Sequence, residues 1–326
     1  MPRPLISLLI ALSLIATDGR AQSVKHLVHK ADSLLTQKYQ RNNFDTNYIS
    51  RPESKLSITG RLNFSGATIR NEGIHEGMHF ESKVDANYKA TLSVGVNYAG
   101  VGMSLALNPA KLAGKYHDFE LNLTKYGNRW GGEITYQDAK NFKGWFQADN
   151  YPRRDLSDEL MKVRTLNVNF YYALNHRRFS YSAAFSQTYL QRRSAGSLLL
   201  AASYQGQWGD AESSEGYMKL RMNNIGIGCG YGHNFVPGKQ WLLHISALPT
   251  FIVHSRSSAN VNGQRVPIHY HFPEVIITGR GAVIKNFKRT FVGASMVFTF
   301  TNIGYRKDVS IENIKWHSRL FYGVRL

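Results

Sequence analysis

Residues 55 to 64, KLSITGRLNF, place Leu56, Ile58, Leu62 and Phe64 on one parity and Lys55, Ser57, Thr59, Arg61 and Asn63 on the other. Alternation with a period of two is the signature of a strand with one apolar and one polar face. Such a ribbon suits a soluble sandwich, with its core on one side, or a membrane barrel, with lipid outside and a polar lumen inside. The pattern recurs along the chain. YKATLSVGVNY and VGMSLALN flank the Ala99-Gly100 corner, and DFELNLTKYGNRWGGEITYQ turns at Gly127-Asn128. LNVNFYYALNHRRFSYSAAFSQ alternates up to Asn175 and reads as a third hairpin returning through Phe179, Tyr181, Ala183 and Phe185. In NIGIGCGYGHNF, glycines 226, 228, 230 and 232 occupy one face, which suits a sharp curl or a close neighbour. Further strands follow in QWLLHISALPTFIVH, EVIITGRGAVIKN, RTFVGASMVFTF and KWHSRLFYGVRL.

Short corners near Ala99, Gly127, His176, Pro237 and Phe287 alternate with longer stretches near 65–82, 109–117, 138–160, 207–222, 255–272 and 303–313. That alternation matches short periplasmic turns and long external loops. With QRRSAGS, residues 191 to 197, interrupting one long strand, the spacing predicts an antiparallel up-and-down transmembrane β-barrel of about 12 strands, within a range of 10–14. Aromatic residues make up 12% of the chain and cluster at strand ends, as in two interfacial girdles.

The ends refine this picture. Arg3, the apolar run from Leu5 to Ala16 and the Gly19-Arg20-Ala21 site form a cleavable signal peptide, residues 1–21. After it, no uncharged apolar stretch approaches the length of a spanning helix. Residues 22–54 read as a periplasmic leader with a short helix, and residues 55–326 as the barrel. The expected location is the outer membrane of a Gram-negative bacterium, reached through the barrel-assembly machinery. Cys229 is the only cysteine, so the chain forms no internal disulfide and no thiolate metal cluster. Lys and Arg number 40 against 22 acidic residues, a net +18. The basic residues are scattered and the chain is exported, which argues against nucleic acid and for lipid phosphates, lipopolysaccharide or an anion-favouring lumen.

FDTNYISRP (44–52), VGVNYAGVGMSLALN (94–108), QRRSAGS and GYGHNFVPGKQW (230–241) resemble an uncharacterised family of exported Bacteroidetes proteins described as a domain of unknown function. The resemblance implies an outer-membrane barrel and supplies no catalytic residues. Asp45, Thr46 and Tyr48 match its D-T-x-Y-I opening motif, for which capping the entry to the first strand is the structural expectation.

Candidate chemistry is sparse. His75 with His79, and His269 with His271, have metal-like spacings without a full ligand set. Ser255, Ser257 and Ser258 near His254 are the nearest approach to a lipid hydrolase, without a G-x-S-x-G elbow. No metal, cofactor or catalytic group is assigned, and the protein is expected not to be an enzyme. The inward parity places Arg61, Lys89, Glu120, Arg129, Glu133 and Arg280 among small polar residues. Three functions stay open: a pore or binding barrel for a small solute, anions being favoured by the basic lumen; a structural barrel that contacts lipopolysaccharide or a protein partner; and a lipid hydrolase.

Overall fold

The computed structural model describes residues 29–30, 32–34, 36–37, 43–75, 77–86, 89–99, 101–107, 119–140, 142–156, 161–213, 216–261, 263–268, 270, 272–304 and 309–326. The expected signal peptide lies outside them. The described positions of the leader helix before residue 43 are helical, and none of the described helices is long and apolar enough to cross a membrane.

Twelve antiparallel passes carry the fold among the described residues. The first is β2 (Leu56–His75), preceded by the short β1 (Ile49–Ser50). The second descends as β3 (Met78–Ala86) and β4 (Lys89–Tyr98). Two short passes follow, β5 (Val101–Leu107) and β6 (Phe119–Lys125). The fifth rises as β7 (Trp130–Ala139) and β8 (Phe142–Ala148), and the sixth descends as β9 (Tyr151–Leu156) and β10 (Met161–Ala173). An insert then holds α1 (Tyr181–Phe185) and β11 (Leu190–Gln191). The remaining passes are β12 (Ala195–Ser213), β13 (Gly216–Gly238), β14 (Trp241–Val261), β15 (Gln264–Pro267) with β16 (Val275–Asn286), β17 (Thr290–Gly304) and β18 (Val309–Arg325).

The ladders return to their start. β18 pairs with β2 from Val309↔Gly73 to Arg325↔Ser57. β2 pairs with β4 along its first half and with β3 along its second. Because β5 and β6 span only 7 residues each, β3 bypasses them in its distal half and pairs directly with β8, from Phe80↔Ala148 to Ala86↔Phe142. Val84, Ala139, Phe142 and Val163 pack on the inside of that junction. The β3–β8 ladder closes the distal half of the wall, whereas no ladder joins β5 to β6 among the described residues, so the proximal half keeps a short break there.

Side chains sort by parity as the alternation predicts. Ser57, Thr59 and Asn63 are buried in the lumen, while Ile58 stands outside, as do Leu92, Val94, Leu198, Ile245 and Leu320 on other strands. Large apolar residues with nothing but solvent over them form a belt around the wall, the environment of lipid. The belt ends abruptly. On β12 the outward series runs from Leu198 to Trp208 and then meets Asp210; on β10 it runs from Tyr172 to Leu166 and then meets Arg164. Beyond it the outer face carries cross-strand ion pairs, Arg164–Asp210 at 3.2 Å, Lys162–Asp138 at 3.3 Å and Arg70–Glu312 at 3.6 Å.

Three expectations are corrected. The long stretches at 65–82, 138–160, 207–222 and 255–272 are strand extensions closed by tight turns: β13 alone has 23 residues, against the roughly 9–11 a spanning strand needs. The corner expected near Pro237 falls at Lys239-Gln240, because β13 runs on to Gly238. And FSYSAAF does not return as a strand: both parities of Tyr181–Phe185 are buried, because this segment is a helix inside the barrel rather than part of its wall. The returning strand starts only at Ala195, so QRRS, the start of the stretch expected to interrupt a long strand, is the exit from that insert.

If the belt faces lipid, Ile245→Lys, at a position 63% exposed on a soluble reading, costs about 2–4 kcal/mol near the bilayer midplane. The expected result is a severe loss of refolding into bilayers, read by heat-modifiable gel mobility, where a water-facing Ile245 would tolerate the change.

Candidate functional site

The insert, residues 174 to 194, plugs the end of the barrel that carries both ends of the wall. Ser180 caps α1, its hydroxyl accepting from the Ala183 N–H at 3.1 Å. Phe179, Tyr181 and Phe185 pack with wall residues Tyr171, Leu199, Leu242, Ile284, Phe291 and Phe321. Gly232 admits this contact: a Cβ there would lie 3.2 Å from both Phe179 and Leu199. The inward glycine face of β13 thus meets a close neighbour.

A directed hydrogen-bond chain fixes the plug to the wall. The Ser180 N–H donates to Gln191 Oε1 at 3.0 Å, which sets the orientation of that amide. Asn234 Nδ2 then donates to Gln191 Oε1 at 2.9 Å and to the Ser180 carbonyl at 2.8 Å, leaving Asn234 Oδ1 to accept from His244 Nδ1 at 2.7 Å. His244 Nε2 must accept from Ser246 Oγ at 3.0 Å, and Ser246 Oγ accepts from the Tyr181 hydroxyl at 2.9 Å. Ser246, His244 and Asn234 have the polarity of a nucleophilic triad, but Asn234 is 0% exposed and the other two 4%, and the Tyr181 phenol already occupies the serine. The array is an anchor.

The opening motif belongs to the same assembly. The Asp45 N–H donates to the Arg177 carbonyl at 2.8 Å, and its carboxylate accepts from the Asn47 N–H and pairs with Arg178 at 3.6 Å. Tyr48 lies under the guanidinium of Arg178, and its carbonyl accepts from the Arg192 N–H. β1 pairs with β11. The motif therefore straps the plug, where capping of the first strand had been expected. Thr46 follows Asp45 in the turn that starts the strap.

Between the plug and a distal cluster of Ile69, Met222, Ile252, Ile268, Ile276, Ile303 and Ile311 lies a cavity of about 160 Å³. Its charged lining is Lys89, Arg280, Lys315 and Arg319, against the single carboxylate Glu133, with the His317 imidazole accepting from Arg319 at 3.4 Å. Arg280 is buried; its Nη2 donates to Glu133 Oε2 at 3.3 Å, while its Nε has no hydrogen-bond acceptor among the described atoms. Arg319 Nε donates to Asn63 Oδ1 at 2.9 Å. Gln137, Asn167, Asn169, Ser203 and Gln205 supply neutral polar groups.

The residues singled out from sequence separate here. Lys89, Glu133 and Arg280 line the chamber, and Arg61 lies inward beside it, its guanidinium laid over Gly95. Glu120 stands opposite Gln137 in the β6–β7 ladder, and its side chain lies outside the described residues. Arg129 is a correction: it is exposed at the end of the 126–129 turn and donates from Nε to the outward Tyr172 hydroxyl at 3.0 Å, because strand parity does not carry through a turn. Lys315, His317 and Arg319 were missed, although they alternate with the outward Trp316 and Leu320 of the same strand. Of the histidines with metal-like spacing, His79 pairs with Glu72 at 3.7 Å; the side chain of His75, and His269 and His271, lie outside the described residues. No metal-binding group occurs among the described residues. Ser255 bonds to Ser257 at 3.1 Å, and among the described residues neither hydroxyl has a hydrogen bond to His254.

Residues 43–326 match the model of a family described as a domain of unknown function, DUF4421. The chain belongs to this family. No curated protein matches it. Among solved structures it is similar to the outer membrane protease OmpT of Escherichia coli, at 9% identity and a TM-score of 0.47, over 88% of this chain and 100% of that one. The outer membrane protein OprG of Pseudomonas aeruginosa matches at 10% identity and a TM-score of 0.31, over 84% and 97%. The transport unit of the autotransporter AIDA-I of Escherichia coli matches at 10% and 0.35, over 91% and 97%. Such distant likeness carries nothing about activity. This DUF4421 member is an outer-membrane type of β-barrel on the strength of its own ladders and belt.

The anchor makes a direct prediction. Asn234→Ala removes three hydrogen bonds between plug and wall and leaves buried His244 Nδ1 without an acceptor, at about 1–3 kcal/mol for a buried group left unsatisfied. Trypsin should then cut at Arg178 and Arg193 about ten-fold faster or more, while the wall keeps its heat-modifiable mobility.

Proposed function

We propose that this protein is a plugged outer-membrane barrel that binds a small anionic solute in the basic chamber of its lumen, and is not a diffusive pore. The chamber lining carries the reading: four Lys and Arg side chains and one histidine surround one carboxylate. A buried guanidinium donor without an acceptor among the described atoms, Arg280 Nε, is the kind of group an oxyanion satisfies. The scale of the cavity suits an anion with a few waters rather than an oligosaccharide or an acyl chain. The plug and its strap support binding over free passage, since opening this end breaks a buried aromatic core and the Asn234–His244 chain.

Export by a cleaved signal peptide, insertion by the barrel-assembly machinery of a Gram-negative cell, and a periplasmic position for the plugged end belong to the same reading. So does a non-catalytic role, supported by the packing of the Ser246–His244–Asn234 array.

The test combines conductance with binding. Refolded, heat-modifiable protein should be silent in planar bilayers. Titration calorimetry should detect inorganic phosphate, and Arg280→Gln should weaken that binding about ten-fold, the scale of one charge-assisted hydrogen bond at roughly 1.5–3 kcal/mol. Stable open steps from the intact chain, or phosphate binding that ignores Arg280, would overturn the proposal.

A further inference from the structure

The outer surface of the plugged end carries a feature that the lumen does not explain. Trp130 and Tyr172 oppose each other in the β7–β10 ladder, both outward. Each ring is covered by a cation. Lys125 Nζ lies 4.2 Å from the Trp130 ring centre, and the Arg129 guanidinium lies 5.4 Å from that of Tyr172, whose hydroxyl it also bonds. Phe170 stacks on Trp130 at 6.4 Å.

Amphipathic rings at the rim of a membrane wall sit at the depth of the lipid headgroups. A cation lying on such a ring is held at the depth of the phosphates instead of extending into water. Among the described residues the partners of the Arg129 side chain are a neutral phenol and its ring, neither of which carries a counter-charge. Glu133, the acid nearest in sequence, faces the lumen on the opposite side of the wall. Toward the middle of the belt the wall turns wholly apolar at Phe170 and Ile134, which are 45% and 43% exposed. Paired cations at phosphate depth, with an aromatic and aliphatic track leading away from them, match one phosphodiester and its acyl chains.

We propose that Lys125, Arg129, Trp130, Phe170 and Tyr172 form a binding site for one anionic glycerophospholipid. Charge selects the class. A zwitterionic headgroup brings an ammonium toward two cations, whereas an anionic headgroup adds no positive charge. The choice of a glycerophospholipid over lipopolysaccharide rests on the reading above, which puts this end at the inner leaflet.

Native mass spectrometry of the refolded full chain, released from non-ionic detergent, tests the site. With equimolar phosphatidylglycerol and phosphatidylcholine, the expected result is one phosphatidylglycerol retained about ten-fold over phosphatidylcholine. Lys125→Gln with Arg129→Gln should abolish that preference, while Lys285→Gln, beside Trp241 elsewhere on the same rim, should leave it intact. Equal retention of both lipids, or a preference that survives the double variant, would overturn the site as a general belt property. Preferential retention of lipid A would overturn the choice of lipid, and competition by free phosphate at equal concentration would reduce the site to a simple anion site. Arg280→Gln should not change lipid retention, and the double variant should not change phosphate calorimetry, so this proposal and the chamber reading fail separately.

Discussion

Ten of the twelve passes form a ring through the β3–β8 ladder, and such a ring leaves an inner face wider than its own side chains can fill; about eight strands is the width at which wall residues meet across the axis. The rest of the structure answers that constraint. At one end the chain folds a segment of its own into the lumen, and at the other, wall isoleucines converge with Ile268 and Met222. The chamber is the space neither filling occupies, and its charge follows from which inward positions fall between them: Lys89, Glu133 and Arg280, with Lys315, His317 and Arg319 on the closing strand.

A plug needs directional attachment, since burial alone leaves its orientation free. The chain from the Tyr181 hydroxyl through Ser246, His244 and Asn234 supplies it, each donor with one acceptor. Gln191 continues it by donating from Nε2 to the carbonyls of Arg178 and Arg193 and, at 3.3 Å, of Tyr48. Wall, plug and strap are thereby one polar network, satisfied at each of these steps, and such networks specify a single arrangement when complete. The same serine, histidine and asparagine at a surface would suggest acyl transfer. What decides between anchor and nucleophile is burial and the phenol already bonded to the serine.

The wall was legible because lipid enforces strict alternation: Ile58, Leu92, Val94 and Ile245 could be placed from parity alone. Legibility failed where lipid no longer acts. Beyond the belt the outward positions become Arg164, Asp210, Arg70 and Glu312, so both faces of a strand read as polar and the extension looks like a loop. Inside the lumen the opposite ambiguity holds. Phe179-Ser180-Tyr181-Ser182 alternates as a strand does, yet both sets are buried; the readable hints were the capping serine and the adjacent Ala183 and Ala184. Arg129 was misplaced by extending parity through a turn. Lys315, His317 and Arg319 are hard to read from sequence because the apolar and aromatic parity of Trp316, Leu320 and Tyr322 dominates the same strand.

The two closures of the chamber differ in kind, and this orders how they yield. Opening the plugged end exposes an aromatic core and leaves several buried donors and acceptors without partners. Opening the distal end separates aliphatic side chains, with the Tyr270 hydroxyl to the Ile252 carbonyl as a directional contact from the 268–270 segment. Aliphatic contacts have no preferred direction and re-form after small shifts, whereas a stranded buried amide costs its full desolvation. The exposed ion pairs on the extended hairpins add little to stability, at about 0–1 kcal/mol each, and leave that end soft. On the anion-binding proposal, exchange with the chamber would therefore meet its lower barrier on the distal side, away from the plug and its strap.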